Sequence, residues 1–428
     1  MTSDTGAAAT HRAIEAVWRL ESARIVAGLA GLVRDVGLAE ELAQDALVAA
    51  LNQWPAEGVP VNPGGWLMLT AKHRAIDRIR RSQRLSEKLS LLARELEAGQ
   101  QSAPAEFDDV LDEEGIDDDL LRLMFVSCHP VLSTEARIAL TLRLLGGLTT
   151  EEIARGFLAA EPTIAKRVVR AKRTLASKQV PFEVPPPAER PARLASVLEV
   201  LYLVFNEGYS AMAGDDWMRP ALCTEALRLG RVLAELMPAE PEVHGLAALM
   251  EIQASRIPAR LTPAGLPVPL LEQNRGRWDQ LLIRRGFTAL LRAQRLGGPP
   301  GPYVLQAAIA ACHARAHTAA ETDWEQIAAL YQALAALTPS PVVELNRAVA
   351  VAMAFGPERG LDIVDRLAAE PALAGYHHLP SVRGDLLARL GRPAEAASEF
   401  RRAAALTRNI PERTVLLQRA EGCATDAG

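Results

Sequence analysis

At 428 residues, 49% hydrophobic and 23% charged, the chain is long enough for about two to four domains with cores of their own. No apolar run approaches the roughly 18 residues of a membrane span, and the N-terminus has no basic stretch ahead of an apolar core. Neither a membrane segment nor a secretion signal is expected, and the reading is a cytoplasmic protein. The four cysteines, Cys128, Cys223, Cys312 and Cys423, form no C-x-x-C pair, which suits a reducing compartment and argues against a disulfide frame or a zinc site. Aromatics make up only 4%, Ala and Leu dominate, and β-branched runs are absent, so an all-α fold is expected.

Residues 1–10 read as a floppy lead. From His11 to Val36 the apolar positions Ile14, Val17, Ile25, Leu29 and Leu32 recur at helical spacing, and Gly37 breaks the pattern. A second amphipathic helix is predicted over Leu38–Trp54, with Leu42, Leu47 and Leu51 for packing and Glu40, Glu41, Gln44 and Asp45 outside. Pro55–Pro63 reads as a loop stiffened by its prolines. After Asn62-Pro63-Gly64-Gly65 a helix starts at Trp66 and runs to Arg84, with Leu69, Ile76 and Ile79 on one side and Arg74, Arg78 and Arg81 on the other. Between Lys72 and Arg84 stand six basic residues (Lys72, Arg74, Arg78, Arg80, Arg81, Arg84) and one acid, Asp77. A chain of net charge −5 that gathers cations in this way either holds a polyanion there or presents an ordinary solvated helix.

Gln83 to Ala105 reads as a mobile connection. Glu106–Asp119 carries nine acids and no base, without the spacing of a calcium loop, so a solvated linker is expected rather than a metal site. Helical patterning resumes at Leu120. Ser133 or Thr134 can cap a helix over Glu135–Leu145, and Gly146-Gly147 ends it. Thr149 with Glu152 forms a capping box for a short helix to about Arg155, and Pro162 suits the first turn of the next. That spacing is a helix-turn-helix. In its second helix Ile164, Val168, Ala171 and Leu175 face inward, leaving Thr163, Lys166, Arg167, Arg170 and Arg173 outside, where donors meet guanine edges and phosphates. Cys128-His129 is read as packing.

The motifs Asn62-Pro63-x-x-Trp66-Leu67, Ala71-Lys72 and Ala75-Ile76-Asp77-Arg78-Ile79-Arg80-Arg81 resemble the promoter-melting helix of extracytoplasmic-function sigma factors, the small members of the sigma-70 superfamily. Ala39-Glu40-Glu41-Leu42-Ala43-Gln44-Asp45 is similar to the segment with which that family docks on the β′ coiled coil of core RNA polymerase. Leu148-Thr149-x-Glu151-Glu152-Ile153-Ala154 and Thr163-Ile164-x-x-Arg167-x-x-Arg170-Ala171 resemble its −35-reading domain. The resemblance implies contacts with the polymerase β′ and β subunits, with Glu40, Glu41, Gln44 and Asp45 on core polymerase. It implies −10 contacts by Asn62, Trp66, Lys72, His73, Arg74, Arg78 and Arg81, and −35 contacts by Thr163, Lys166, Arg167, Arg170 and Arg173. Trp66 reads better as a core anchor than as a base-stacking ring, because the next turn is apolar. The family often has Asn where His73 stands, Asp where Leu38 stands and Ser where Ala160 stands. It threads its linker along the polymerase nucleic-acid channel, so the acids of 106–119 could mimic a strand.

The expected domains are 11–84 (region 2), an acidic linker over 85–119, 120–180 (region 4), a Pro-rich boundary over 181–191 and a helical extension over 192–421. Late in the extension Ile327, Leu330, Tyr331, Leu334 and Leu337 match Ala396, Glu399, Phe400, Ala403 and Leu406. Their offset is about twice the 34-residue tetratricopeptide period, so a TPR-like repeat domain suited to protein or peptide partners is expected. The break Pro258–Pro269 interrupts it. Asn206, Glu207 and His244 could form a polar site, although scattered polar residues in helices are usually structural. No catalytic constellation, P-loop or metal-ligand spacing stands out, so neither enzyme activity nor a cofactor is expected. The whole chain resembles the sigma subgroup with a large C-terminal extension acting in place of a separate anti-sigma factor. The rival reading is a helix-turn-helix regulator with a TPR-like sensor domain.

Overall fold

The computed structural model describes residues 2–94, 113–211, 213–214 and 217–425. It divides into two compact units, Met1–Val200 and Leu201–Gly428. Among the described residues the regular structure is helical apart from a parallel pairing of two-residue strands, β1 (Ala213–Gly214) with β2 (Arg408–Asn409), and an isolated antiparallel bridge between Leu261 and Pro267.

The first unit opens with α1 (Thr2–Val33), α2 (Val36–Glu57) and α3 (Pro63–Arg94). Helix α1 begins well inside the expected floppy lead. Its break falls before Gly37: Arg34 takes φ +56°, and Asp35 caps α2 by accepting the Leu38 N–H at 2.9 Å. The acidic cap missing at Leu38 is thus supplied three residues earlier. Asp35→Ala should cost about 1 kcal/mol of stability, read by urea unfolding, since the capped N–H loses its partner.

Helix α2 runs through Pro55 and shortens the expected loop, and α3 begins at Pro63, where Asn62 Oδ1 accepts the Gly65 N–H at 2.9 Å. Pro63, Gly64 and Gly65 form the first turn, a position that tolerates both residue types. The buried stripe of α3 is Leu67, Met68, Ala71 and Ala75, whereas of the expected apolar side formed by Leu69, Ile76 and Ile79, Leu69 is 56% exposed and the other two are half-buried. Packing on α1 sets this rotation: Met68 reaches Gly28, where a Cβ would come within 3.2 Å of Met68 Cε. Residues 83–94 continue α3 where a mobile connection was expected, and most of the acidic linker lies outside the described residues.

Helix α4 (Glu113–Ser127) precedes α5 (Thr134–Leu144), α6 (Thr150–Gly156) and α7 (Glu161–Ser177). Thr149 and Glu152 form the expected capping box, and Gly147 turns the chain after α5 at φ +63°. Helix α8 (Arg190–Tyr209) crosses the division between the units. Its first half is fixed to the helix-turn-helix module: Arg137 donates to Ser196 and to Glu199, Arg193 to the Phe125 carbonyl at 3.0 Å, and Ser196 to the Cys128 carbonyl at 2.6 Å.

In the second unit α10 (Pro241–Ala254) is buried nearly all round by α9 (Pro220–Leu236), α11 (Gln280–Leu296) and α12 (Pro302–Arg315). Then come α13 (Trp324–Leu337), α14 (Pro341–Phe355), α15 (Pro357–Leu367), α16 (His378–Arg389), α17 (Pro393–Leu406) and α18 (Ile410–Thr425), each packed on the next. The leading helices of these three pairs open at Trp324, Pro357 and Pro393, close to the expected repeat of about 34 residues. Ile327, Leu334, Ala396, Phe400 and Ala403 are buried as the repeat requires, but Leu337 ends its helix 51% exposed. Among the described residues no helix is long and apolar enough to cross a membrane.

Candidate nucleic-acid interface

Along α3 the expected −10 residues divide by what already holds them. Asn62 spends its side-chain oxygen on capping. Trp66 is half-buried and packs edge-on against buried Trp54, with ring centroids 5.4 Å apart. Arg74 lies 3.7 Å from Asp45 of α2, so these two candidates, assigned to different partners, meet each other. Lys72 is half-buried, while His73, Arg78 and Arg81 are exposed, as is Arg80. Beside them Val61 stands fully in solvent in the loop before α3; no periodic signal marked it, because a loop has no face to read.

On α7 the division is cleaner. Ile164, Val168, Ala171 and Leu175 are buried, and Thr163, Lys166, Arg170 and Arg173 are exposed with Arg167 half-buried beside them. Ala160 supplies no side-chain cap, and Pro162 sits in the first turn, where its missing N–H costs no bond. An exposed basic row on the second helix of such a motif matches the donors a major groove accepts.

Helix α2, the expected docking helix, departs from expectation at one residue. Glu40 is only 5% exposed, and its carboxylate accepts from Gln44 at 2.6 Å, from Arg143 Nε of α5 at 2.7 Å and from Lys172 Nζ of α7 at 2.6 Å. It is therefore not on the open surface of α2. Glu41 and Asp45 are exposed and Gln44 is half-buried; Val48 and Asn52 extend the open stripe. Arg143 and Lys172 carry no motif of their own, so no local signal announced this clasp.

Three further contacts join the α1–α3 module to the α4–α7 module. Arg19 of α1 reaches Glu152 at 2.7 Å. Gly147 lies so close to α1 that a Cβ would come within 2.6 Å of Ser22 Oγ. Asp119 of α4 lies over Gly31, where a Cβ would meet its Oδ2 at 2.6 Å, and burial raises the Asp119 pKa even though Arg122 donates to it at 2.6 Å.

Cys128 is buried against Thr141 Oγ1 at 3.3 Å, and desolvation pushes its thiol up to about 11, a packing role. His129 accepts the Val131 N–H at 3.0 Å, and burial lowers its pKa. In the second unit Glu207 pairs with Arg219, His244 Nε2 meets the Pro238 carbonyl at 3.0 Å, and Asn206 bonds Tyr202. Three different partners hold these three residues, so the structure does not assemble them into one site.

Residues 20–85 match the family model for Sigma-70 region 2, and residues 122–175 match that for Sigma-70, region 4. The chain belongs to the sigma-70 family. Residues 193–294 of this sigma factor match a family of unknown function, DUF6596. An uncharacterized protein of Rhizobium meliloti (strain 1021) is 45% identical over 379 residues, covering 89% of this chain and 88% of that protein. The crystal structure of yeast Tom70 overlays with a TM-score of 0.31 at 13% identity, over 92% of this chain and 82% of that one, too loosely to bear on the fold.

Proposed function

We propose that this sigma factor directs core RNA polymerase to a two-part promoter, with α3 and the loop before it gripping the melted −10 strand and α7 reading the −35 duplex. The observation that carries the reading is the pair of open cationic rows, Arg78 and Arg81 on one module and Lys166, Arg170 and Arg173 on the other. Phosphates held by such rows release counterions, and bases separated at −10 need a surface that accepts them unpaired. Glu41 and Asp45 offer the remaining open acids for core polymerase. Arg78→Ala with Arg81→Ala should reduce the salt slope of promoter-complex formation by about two, one for each phosphate no longer neutralised, in a titration from low to high salt.

The two boxes lie roughly 25 base pairs apart, about 85 Å along a duplex at 3.4 Å per pair. Modules fastened at Glu40, Arg19, Gly31 and Gly147 have to separate before each can meet its own box, so the clasped arrangement is a resting one. Helix α8, fixed to region 4 through Arg137 and Arg193 and continuous with the extension, supports a regulatory role for residues 201–428 exercised through protein contacts. Run-off transcription with core polymerase tests both parts. Specific transcripts from the full chain or from residues 1–200 support the promoter role, and none from either discards it. Equal output from both forms discards the regulatory role.

A further inference from the structure

The second unit contains a cavity of about 280 Å³ between the turn at 260–270 and helix α18. Arg256, Arg260 and Arg419 line it together with the carboxylate of Glu412. That carboxylate is already occupied, accepting from Thr407 Oγ1 at 2.7 Å and lying 3.0 Å from His377 Nε2. Arg419 pairs with Asp385 outside the cavity. Among the described residues the other two guanidiniums have no carboxylate of this kind. Arg256 donates to the neutral amides of Gln253 and Gln273, at 2.9 and 3.2 Å.

Arg260 is the more demanding of the two. It is 4% exposed, its guanidinium carbon stands 3.3 Å from the Tyr209 ring centroid and 4.3 Å from that of Trp217, and its Nε and Nη1 have no hydrogen-bond partner. Burial, with Arg256 nearby, lowers its pKa to about 10. Its backbone is locked by a tight reversal in which Val268 donates to the Arg260 carbonyl at 2.8 Å and Gly265 turns at φ +78°. A buried cation with unmet N–H groups is costly unless something supplies the charge and the acceptors. Two neighbouring guanidiniums that face no free carboxylate among the described residues double that demand.

We propose that this cavity binds a small organic anion, its carboxylate or phosphate head held by Arg256 and Arg260 and its apolar body against Val268, Pro269 and Leu416. Planar guanidinium forks match either head bidentately, and the volume, slightly below that of drug-sized sites, suits a metabolite-sized guest. The site would make the extension a receptor for a small-molecule signal. It stands independently of the promoter reading, because its test reads binding and not transcription.

Isothermal titration calorimetry of the full chain with phenyl phosphate and with benzoate, at matched ionic strength, tests it. At least one probe should bind with a Kd of about 0.1–1 mM, and the stronger one identifies the head group. Arg260→Met should weaken that probe roughly tenfold or more while its melting point without probe stays at or above that of the parent, because an uncompensated buried charge has been removed. Should Arg260→Met melt low, Arg256→Met, at the half-buried second guanidinium of the head site, replaces it as the deciding variant, with the same roughly tenfold loss expected. Absence of binding by both probes to about 10 mM, or binding that survives in the variants unchanged, overturns the proposal.

Discussion

Arg167→Ala combined with Arg170→Ala is expected to lower transcription from the cognate promoter by about 30-fold to 10⁴-fold, the loss of two contacts at about 1–3 kcal/mol each. Both residues stand on the outer side of α7, away from the buried row of Ile164, Val168, Ala171 and Leu175. Unfolding free energy should therefore move by less than about 0.5 kcal/mol, as for surface substitutions elsewhere. Association with core polymerase should persist, since the candidate docking acids Glu41 and Asp45 lie on α2. Run-off transcription and polymerase pull-down on the same preparation separate the two quantities. Loss of both together would point to misfolding and not to a reading defect.

Arg143→Met combined with Lys172→Met should have the second large effect, with the opposite sign for polymerase binding. The pair leaves Glu40 in place but removes both cations from a carboxylate whose side chain is 7% exposed. Breaking a fully buried ion pair costs about 3–5 kcal/mol; here Arg143 and Lys172 are 22% and 20% exposed, and water recovers part of that. We expect the clasped form to lose about 2–3 kcal/mol, which multiplies the opened fraction roughly 30- to 150-fold. Because Glu40 is restored to solvent when the modules part, affinity for core polymerase should rise, as measured by fluorescence anisotropy of the labelled factor. Weaker binding would mean that Arg143 or Lys172 itself touches polymerase. Unchanged binding would mean that the clasp does not govern access to α2.

What could be read from the residues alone followed how local each rule is. The capping box at Thr149 and Glu152 and the inward row of α7 depend on neighbours within one to five turns, the late helical repeat on a pattern that recurs about every 34 residues, and all three stand in the structure. The Asp35 cap was equally local but was overshadowed by Gly37, a stronger-looking break that α2 absorbs. The rotation of α3 was not local. Leu69 and Leu67 are chemically alike, and packing against α1 and α2 decides which of them turns inward. Glu40 illustrates the widest gap, since its partners lie 103 and 132 residues away and a sequence motif cannot report what tertiary packing later covers. The Arg260 cavity is similar: Tyr209, Trp217, Arg256 and Arg419 converge from four separate segments.

On the proposed reading, the acid hidden at Glu40 turns recruitment into a question of populations. A molecule open about one per cent of the time shows an apparent affinity about a hundredfold below that of its open form, whatever the quality of the contacts themselves. Any influence able to tilt that balance by about 2–3 kcal/mol could raise promoter output by up to nearly that factor without altering a single group that meets DNA or polymerase. Sensitivity would then be set by the resting ratio, and mutations that merely loosen the latch would make the factor less responsive while making it more active.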